Sequence, residues 1–383
     1  MKLVIGFMPL LDCASLVVAV ERGFAAKEGL DLRLVRETSW ANIRDRIIVG
    51  QFDAAHMLAP MPIASTLGIG HVKTPLIAPI SLGLGGNAIT VSLSLWEDMT
   101  NVGATVGAFS ASQGEALRRV VTEREQSGSD PLTFGMVYPF SCHNYELRYW
   151  LAAAGIDPDK DVRLTVIPPP FLADALRTGQ IDGFCVGEPW NSVAVDAGVG
   201  TIVTPTTALW PLSAEKVLGC RAEWAERYPQ ELAALLRALY HAARWTEAPE
   251  NHAEVARLLA EPRYVGTSAG LLQRALAGKV GLLPGAEPTL LENFFVPASH
   301  QACFPWTSHA LWLYTQMVFW RQTEHSPEHL AAARQTYRPD LYRTALAGVA
   351  PDMPRVDLKT ERFFDGREFD PEQLASWLQR ADR

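Results

Sequence analysis

The chain has 383 residues, 48% of them hydrophobic, and a formal net charge of −8 at pH 7. That length holds two domains with cores of their own, and an acidic balance without a Lys/Arg run excludes the basic footprint of a direct nucleic-acid binder. No stretch approaches the roughly 18 apolar residues of a membrane span, so no membrane partner is expected either.

The first residues imitate a secretion signal, with Met1-Lys2 followed by the apolar run Leu3–Leu11. Pro9 and Asp12 interrupt that run, and the residue before Cys13 is an Asp rather than a small neutral one. The run is therefore expected to be a first β-strand, Leu3–Phe7, and the protein to stay in the cytoplasm. The five cysteines, Cys13, Cys142, Cys185, Cys220 and Cys303, show neither a CxxC pair nor a Cys/His zinc spacing. They read as buried free thiols, with no metal and no cofactor implied.

In chain order, the pattern predicts a helix over Ser15–Gly29, a strand over Leu32–Val35, a helix over Ala41–Val49 and a strand over Ala54–Leu58. The Gly-rich segment Leu82–Asn87 then leads into a strand over Ile89–Leu93, and a first crossing between lobes is placed there. Next come a strand over Gly103–Phe109, a helix over Ser112–Glu125, a strand over Phe134–Tyr138, a helix over His143–Ala154 stopped by Gly155, and a strand over Val162–Ile167. The strand Gly183–Val186 runs into Glu188-Pro189-Trp190, the second crossing. Beyond the strands Thr201–Val203 and Leu218–Arg221 the chain turns helical, over Pro229–Glu247, Asn251–Leu259, Ser268–Ala277, Ser308–Arg321 and Pro371–Arg380. The aromatic residues of Ser308–Arg321 are either core of the first lobe or a surface for a partner.

One unit occurs twice. Trp40–Ala55 and Phe171–Phe184 each combine a short helix, a Gly-Gln-x-Asp-small turn and a buried strand, and each ends in a Pro-containing exit. The Gly suits the left-handed position after a helix, and the Asp can accept local backbone N–H bonds. Two such units imply two similar α/β lobes, each a parallel, doubly wound sheet. Residues 1–85 with 191–383 form the first lobe, and 86–190 the second. Such a pair of lobes is a clamp with a ligand cleft between them. Ligands of open α/β sheets lie beyond the carboxyl ends of the strands, where helix N-termini favour an anion. The polar residues at those ends are Asp12, Trp40, Asn87, His143, Glu188 and Lys216. Without a nucleophile elbow, a phosphate loop or paired carboxylates in one motif, no enzyme is expected.

The strings Ser39-Trp40, Asp53–Pro62, Arg148–Ile156, Pro168–Pro170, Cys185–Trp190, Glu215–Trp224 and Ser308–Trp312 resemble the nitrate- and bicarbonate-binding proteins of bacterial ABC importers. The resemblance runs from Leu3 to about Trp320. It implies a two-lobed periplasmic-binding-protein fold of the second topological type, with a helical C-terminal extension on the first lobe. It also implies that Trp40, Asn87, His143 and Lys216 hold the anion, Asn87 standing where a Gln is more usual. Bicarbonate binders carry an acidic residue at the Lys position and use calcium, so Lys216 favours nitrate or nitrite. Asp12, Arg44, Pro60, Glu188 and Trp190 are expected to brace the site or the hinge, with Asp12 pointing away or paired with Arg44.

Without an export signal, the chain looks most like the cytoplasmic nitrate/nitrite sensors (NasS type) of nitrate-assimilation operons. These sequester an RNA-binding antiterminator of the ANTAR type and release it when the anion binds. The alternative is the substrate-binding component of a nitrate, bicarbonate or sulfonate importer. An enzyme of the thiamine-pyrimidine precursor type shares the fold but needs a Cys-rich iron motif that is absent here. Nitrate is planar and accepts hydrogen bonds at three oxygens, so it needs in-plane donors, a nearby cation and a flat face. An ammonium, an imidazole, an amide and an indole supply these.

Overall fold

The computed structural model describes residues 1–351 and 353–379. The chain begins with β1 (Lys2–Phe7), α1 (Ala14–Glu21), α2 (Phe24–Lys27), β2 (Asp31–Arg36), α3 (Trp40–Ile48), β3 (Ala54–Leu58), α4 (Met61–Leu67) and β4 (Leu76–Ser81). After the short β5 (Leu84–Gly85) it continues through β6 (Asn87–Ser92), α5 (Leu93–Asn101), α6 (Ala111–Ser127), β7 (Thr133–Met136), α7 (Cys142–Ala153) and β8 (Arg163–Val166). Then follow α8 (Leu172–Arg177), β9 (Gly183–Gly187), α9 (Trp190–Asp196), β10 (Gly200–Pro205) and β11 (Lys216–Arg221).

Two five-stranded sheets result, ordered β2-β1-β3-β11-β4 and β10-β6-β9-β7-β8. The α/β, two-lobed architecture expected from the sequence is present, but neither sheet is purely parallel. β11 runs antiparallel to β3 and β4, and β6 runs antiparallel to β9 and β10. β6 and β11 are the strands that follow the two crossings, each entering its sheet from the other lobe rather than through a βαβ crossover. The second crossing also lies further along than expected. β10 pairs with β6, so the chain stays with the second sheet to Pro205 and returns through Thr206–Glu215 instead of leaving at Trp190.

The repeated unit is real in three dimensions. Gly50 and Gly179 both take left-handed φ, at 77° and 69°. Asp53 Oδ2 accepts the Val4 N–H at 2.8 Å, and Asp182 Oδ2 accepts the Thr133 N–H at 2.7 Å. Each carboxylate thus pins the start of the neighbouring parallel strand, β1 in one lobe and β7 in the other.

Other expectations change locally. The helix predicted over Ser15–Gly29 is broken into α1 and α2 at Gly23, whose φ is 71°. Gly103–Phe109 is loop rather than strand, because Gly103 and Gly107 sit at φ of 107° and 78°, outside extended geometry. β4, α4 and α5 were not anticipated. The aromatic helix Thr307–Phe319 is core, with Trp312 and Tyr314 buried. Of the last predicted helix, Leu374–Gln379 is helical and Arg380 lies outside the described residues. Among the described residues no helix is long and apolar enough to cross a membrane.

The C-terminal hairpin, Glu361–Arg362 with Glu368–Phe369, straps the lobes together. Phe363 stacks on Trp312 at 5.5 Å, the Phe364 N–H bonds the Leu209 carbonyl at 2.9 Å, and Tyr149 of α7 donates to Asp365 at 2.9 Å.

Asp53→Ala and Asp182→Ala are each expected to lower the unfolding free energy by about 1–2 kcal/mol, since each leaves a strand-starting N–H without its charged acceptor. Urea unfolding of the single and double variants checks this, and the two losses should add because the sites share no partner.

Candidate functional site

Two serine-capped helices start at the junction between the lobes. Ser39 Oγ accepts the Asn42 N–H at 3.2 Å, so α3 begins at Trp40. Ser141 Oγ accepts the Asn144 N–H at 3.0 Å, which places His143 in the first turn of α7. Such caps fix where a helix begins and leave further N-terminal N–H groups without intrahelical partners. Asn87 opens β6 and Lys216 opens β11, the two strands that follow the crossings.

The four residues singled out in the sequence meet in one buried cluster. Asn87, His143 and Lys216 have no exposed surface, and Trp40 is 1% exposed. Lys216 Nζ lies 2.8 Å from Asp12 Oδ2 and 5.6 Å from the centroid of the Trp40 ring, a cation–π arrangement, and it also contacts Glu215 Oε1. His143 Nε2 lies 3.1 Å from Glu215 Oε1. The Asn87 amide donates to Glu215 Oε2 at 2.7 Å and to Glu146 Oε2 at 2.9 Å. Trp40 and Lys216 come from the first lobe, and Asn87, His143 and Glu146 from the second.

Burial governs the charges. Burial works to raise the Asp12 carboxyl, but Lys216 and His56 overcome it and hold Asp12 well below the usual carboxylate range. Burial likewise works against the Lys216 ammonium, yet Asp12 and Glu215 raise it above an ordinary lysine. Burial pushes His143 far down, with the Lys216 charge adding to the effect, so its imidazole is neutral. Burial pushes Glu146 up to about 8, helped by the neighbouring Glu215 charge, and raises Glu215 itself in spite of Lys216. Several buried polar atoms have no hydrogen-bond partner among the described residues: Trp40 Nε1, both His143 ring nitrogens, Asn87 Oδ1 and Glu146 Oε1. Each such atom costs on the order of 1–3 kcal/mol unless a partner meets it.

The bracing residues distribute differently from expectation. Asp12 does not pair with Arg44; it faces inward to Lys216 and, at 3.0 Å, to His56 Nε2. A buried ammonium needs a counter-charge more than a half-exposed guanidinium does. Arg44 instead bonds Asp45 at 2.7 Å and reaches across the lobes to the Tyr138 hydroxyl at 3.0 Å. Glu188 and Trp190 hold the junction through the first lobe's chain. The Leu11 N–H bonds the Glu188 carbonyl at 2.8 Å, and Trp190 Nε1 donates to the Pro9 carbonyl at 3.0 Å. Pro60 caps α4 and takes no part in the cluster contacts described above.

Sequence reasoning missed Glu215, Glu146 and His56. Glu146 was legible, because it lies three residues after His143 and so shares its helix face. Glu215 and His56 were not, since contact with the buried Lys216 in one case and with its counter-charge Asp12 in the other is a property of the folded cluster.

Comparison with known proteins adds the family. The profile of the NMT1-like family matches residues 1–260. The chain is 34% identical over 385 residues to the nitrate/nitrite binding protein NrtA of Synechococcus elongatus, covering 98% of this chain and 84% of that protein. It is 38% identical over 380 residues to the nitrate import ATP-binding protein NrtC of Synechocystis sp., covering 98% of this chain but 54% of that protein. The chain thus spans about half the length of that relative. The crystal structure of the periplasmic nitrate-binding protein NrtA from Synechocystis superposes with a TM-score of 0.89 at 30% identity, over 99% of this chain and 97% of that one. The superposition shows the periplasmic-binding-protein fold expected from the sequence.

Two outcomes follow from the electrostatics. Lys216→Met strands the Asp12 and Glu215 carboxylates without their cation and is expected to cost about 3–5 kcal/mol in urea unfolding. The pH dependence has two limbs. Asp12, lowered in the folded state, contributes stability that is lost as pH falls below about 4. Glu146 and Glu188, pushed up to about 8 and about 7 by burial, contribute stability that is present below their unfolded values and lost as pH rises between about 5 and about 8. Glu146→Gln is expected to reduce that upper limb to the part that Glu188 carries and to leave the acid limb in place.

Proposed function

Because the chain belongs to the NMT1-like family, we propose that it is a nitrate- or nitrite-binding unit that serves an ABC importer. The observation that carries this reading is the sealed cluster between the lobes, where Trp40 and Lys216 from one lobe meet Asn87 and His143 from the other. The names of the relatives support it, being those of nitrate binding and nitrate import components. The protein is a binder rather than a catalyst in this reading. Lys216 supplies the charge, Trp40 a flat face and an unpartnered indole N–H, and Asn87 and His143 the opposing donors. An anion contacting both lobes favours the closed form over the open one, and the closed form is what a permease would recognise.

The importer reading takes precedence over the cytoplasmic sensor. No relative described above is named as a sensor or as a partner of an ANTAR-type antiterminator, and the structural relative is described as periplasmic. Genes for a permease and an ATPase beside this one would support import, whereas a gene for an RNA-binding antiterminator would restore the sensor. Bicarbonate is the second ligand reading, favoured by Glu146 and Glu215, whose carboxylates could accept its O–H.

Titration calorimetry with nitrate, nitrite and bicarbonate tests the site. Nitrate or nitrite is expected to bind with a dissociation constant of about 1 μM, near −8 kcal/mol. Trp40→Phe, which keeps an aromatic face and removes the indole N–H, is expected to weaken binding about tenfold. Unchanged affinity in that variant, or bicarbonate binding alone, sinks the assignment.

A further inference from the structure

Two of the donors assigned to the anion, Asn87 and Lys216, already hold a carboxylate of the chain itself, and a third, His143, faces it. Asn87 Nδ2 stands 2.7 Å from Glu215 Oε2, His143 Nε2 stands 3.1 Å from Oε1, and Lys216 Nζ contacts the same Oε1. A carboxylate presents two oxygens in a plane, as one edge of nitrate does, so Glu215 occupies the seat that the anion would take. We propose that Glu215 is an internal competitor for the anion, and that anion entry is coupled to uptake of one proton by the Glu215–Glu146 pair. The proposal rests on the anion-site reading above.

Charge makes the coupling necessary. The titratable groups around the pair are Lys216 and Asp12 from the first lobe, His143 from α7, the Cys142 and Cys185 thiols, and the Tyr337 phenol. Burial holds the thiols, the phenol and the imidazole neutral. Among the described residues, Lys216 is therefore the cation facing Asp12, Glu146 and Glu215. With Glu146 protonated, Asp12 and Glu215 already outnumber Lys216 by one negative charge. A further anion in a sealed, weakly screened site would double that excess. Nitrate is too weak a base to carry a proton, so the proton must come from solvent onto a protein oxygen, with no bond in the anion changed. A protonated Glu215 also changes role, since its hydroxyl becomes a donor. The competitor then joins Asn87, His143 and Lys216 in holding the anion.

Nitrate calorimetry at about pH 8, in buffers of different ionisation enthalpy, reads the protons exchanged; about one proton taken up per anion is expected, with affinity falling up to tenfold per pH unit above the pair's titration. Glu215→Gln, checked for folding by circular dichroism, is expected to bind nitrate with little proton uptake and a flat pH profile. Binding by the variant where the natural protein is silent would also support the competitor. Nitrate binding by the natural protein without proton exchange overturns the proposal and leaves the anion site standing, and it does so even if the variant fails to fold. Undiminished proton uptake in a folded Glu215→Gln likewise overturns it. Silence of both proteins toward nitrate, nitrite and bicarbonate across the pH range removes the anion-site reading and the proposal with it.

Discussion

The buried ammonium of Lys216 is the constraint on which the rest of the site depends. An unpaired charge with no exposed surface is too costly to keep, and here it is met by Asp12 on one side and Glu215 on the other. Asp12 is held in turn by His56, whose ring sits edge-on to Trp40 at 5.5 Å. Glu215 is held by the Asn87 amide and faced by the neutral His143 ring, both from the opposite lobe. One lysine therefore organises both faces of the junction and draws them together.

The scaffold makes that convergence reproducible. Each lobe pins a strand with the Asp of its repeated turn, and each presents a serine-capped helix to the junction. The two crossings deliver Asn87 and Lys216 as the first residues of β6 and β11. Helices and strands thus carry Trp40, Asn87, His143, Glu146 and Lys216 to within a few ångströms of their partners, with Glu215 delivered by the crossing just before β11, while the C-terminal hairpin bridges α7 of the second lobe to Trp312 of the first.

Local pattern and resemblance failed where the deciding quantity was not local. The Gly103–Phe109 segment has apolar residues at strand-like spacing, yet two left-handed glycines keep it out of a sheet. β10 could not be assigned to a lobe from its own residues, because its partner β6 lies more than a hundred residues earlier. Asp12 was given the wrong cation for the same reason: Arg44 is a plausible partner by charge, but Lys216 is the one that burial leaves in need.

By itself the sequence determined the two-lobed α/β class, the repeated Gly-Gln-x-Asp unit, and the identity of the four polar residues at strand and helix starts. The first two rest on short-range rules of turn chemistry and hydrophobic period, which act within a few residues, and the four residues on the family resemblance of the strings around them. Only the tertiary structure decided that the sheets are mixed, that the second lobe extends through Pro205, and that Glu215 and Glu146 share the Asn87 amide. Which acid neutralises which base inside a protein depends on distances across lobes and on the water excluded between them, and neither is written in neighbouring residues.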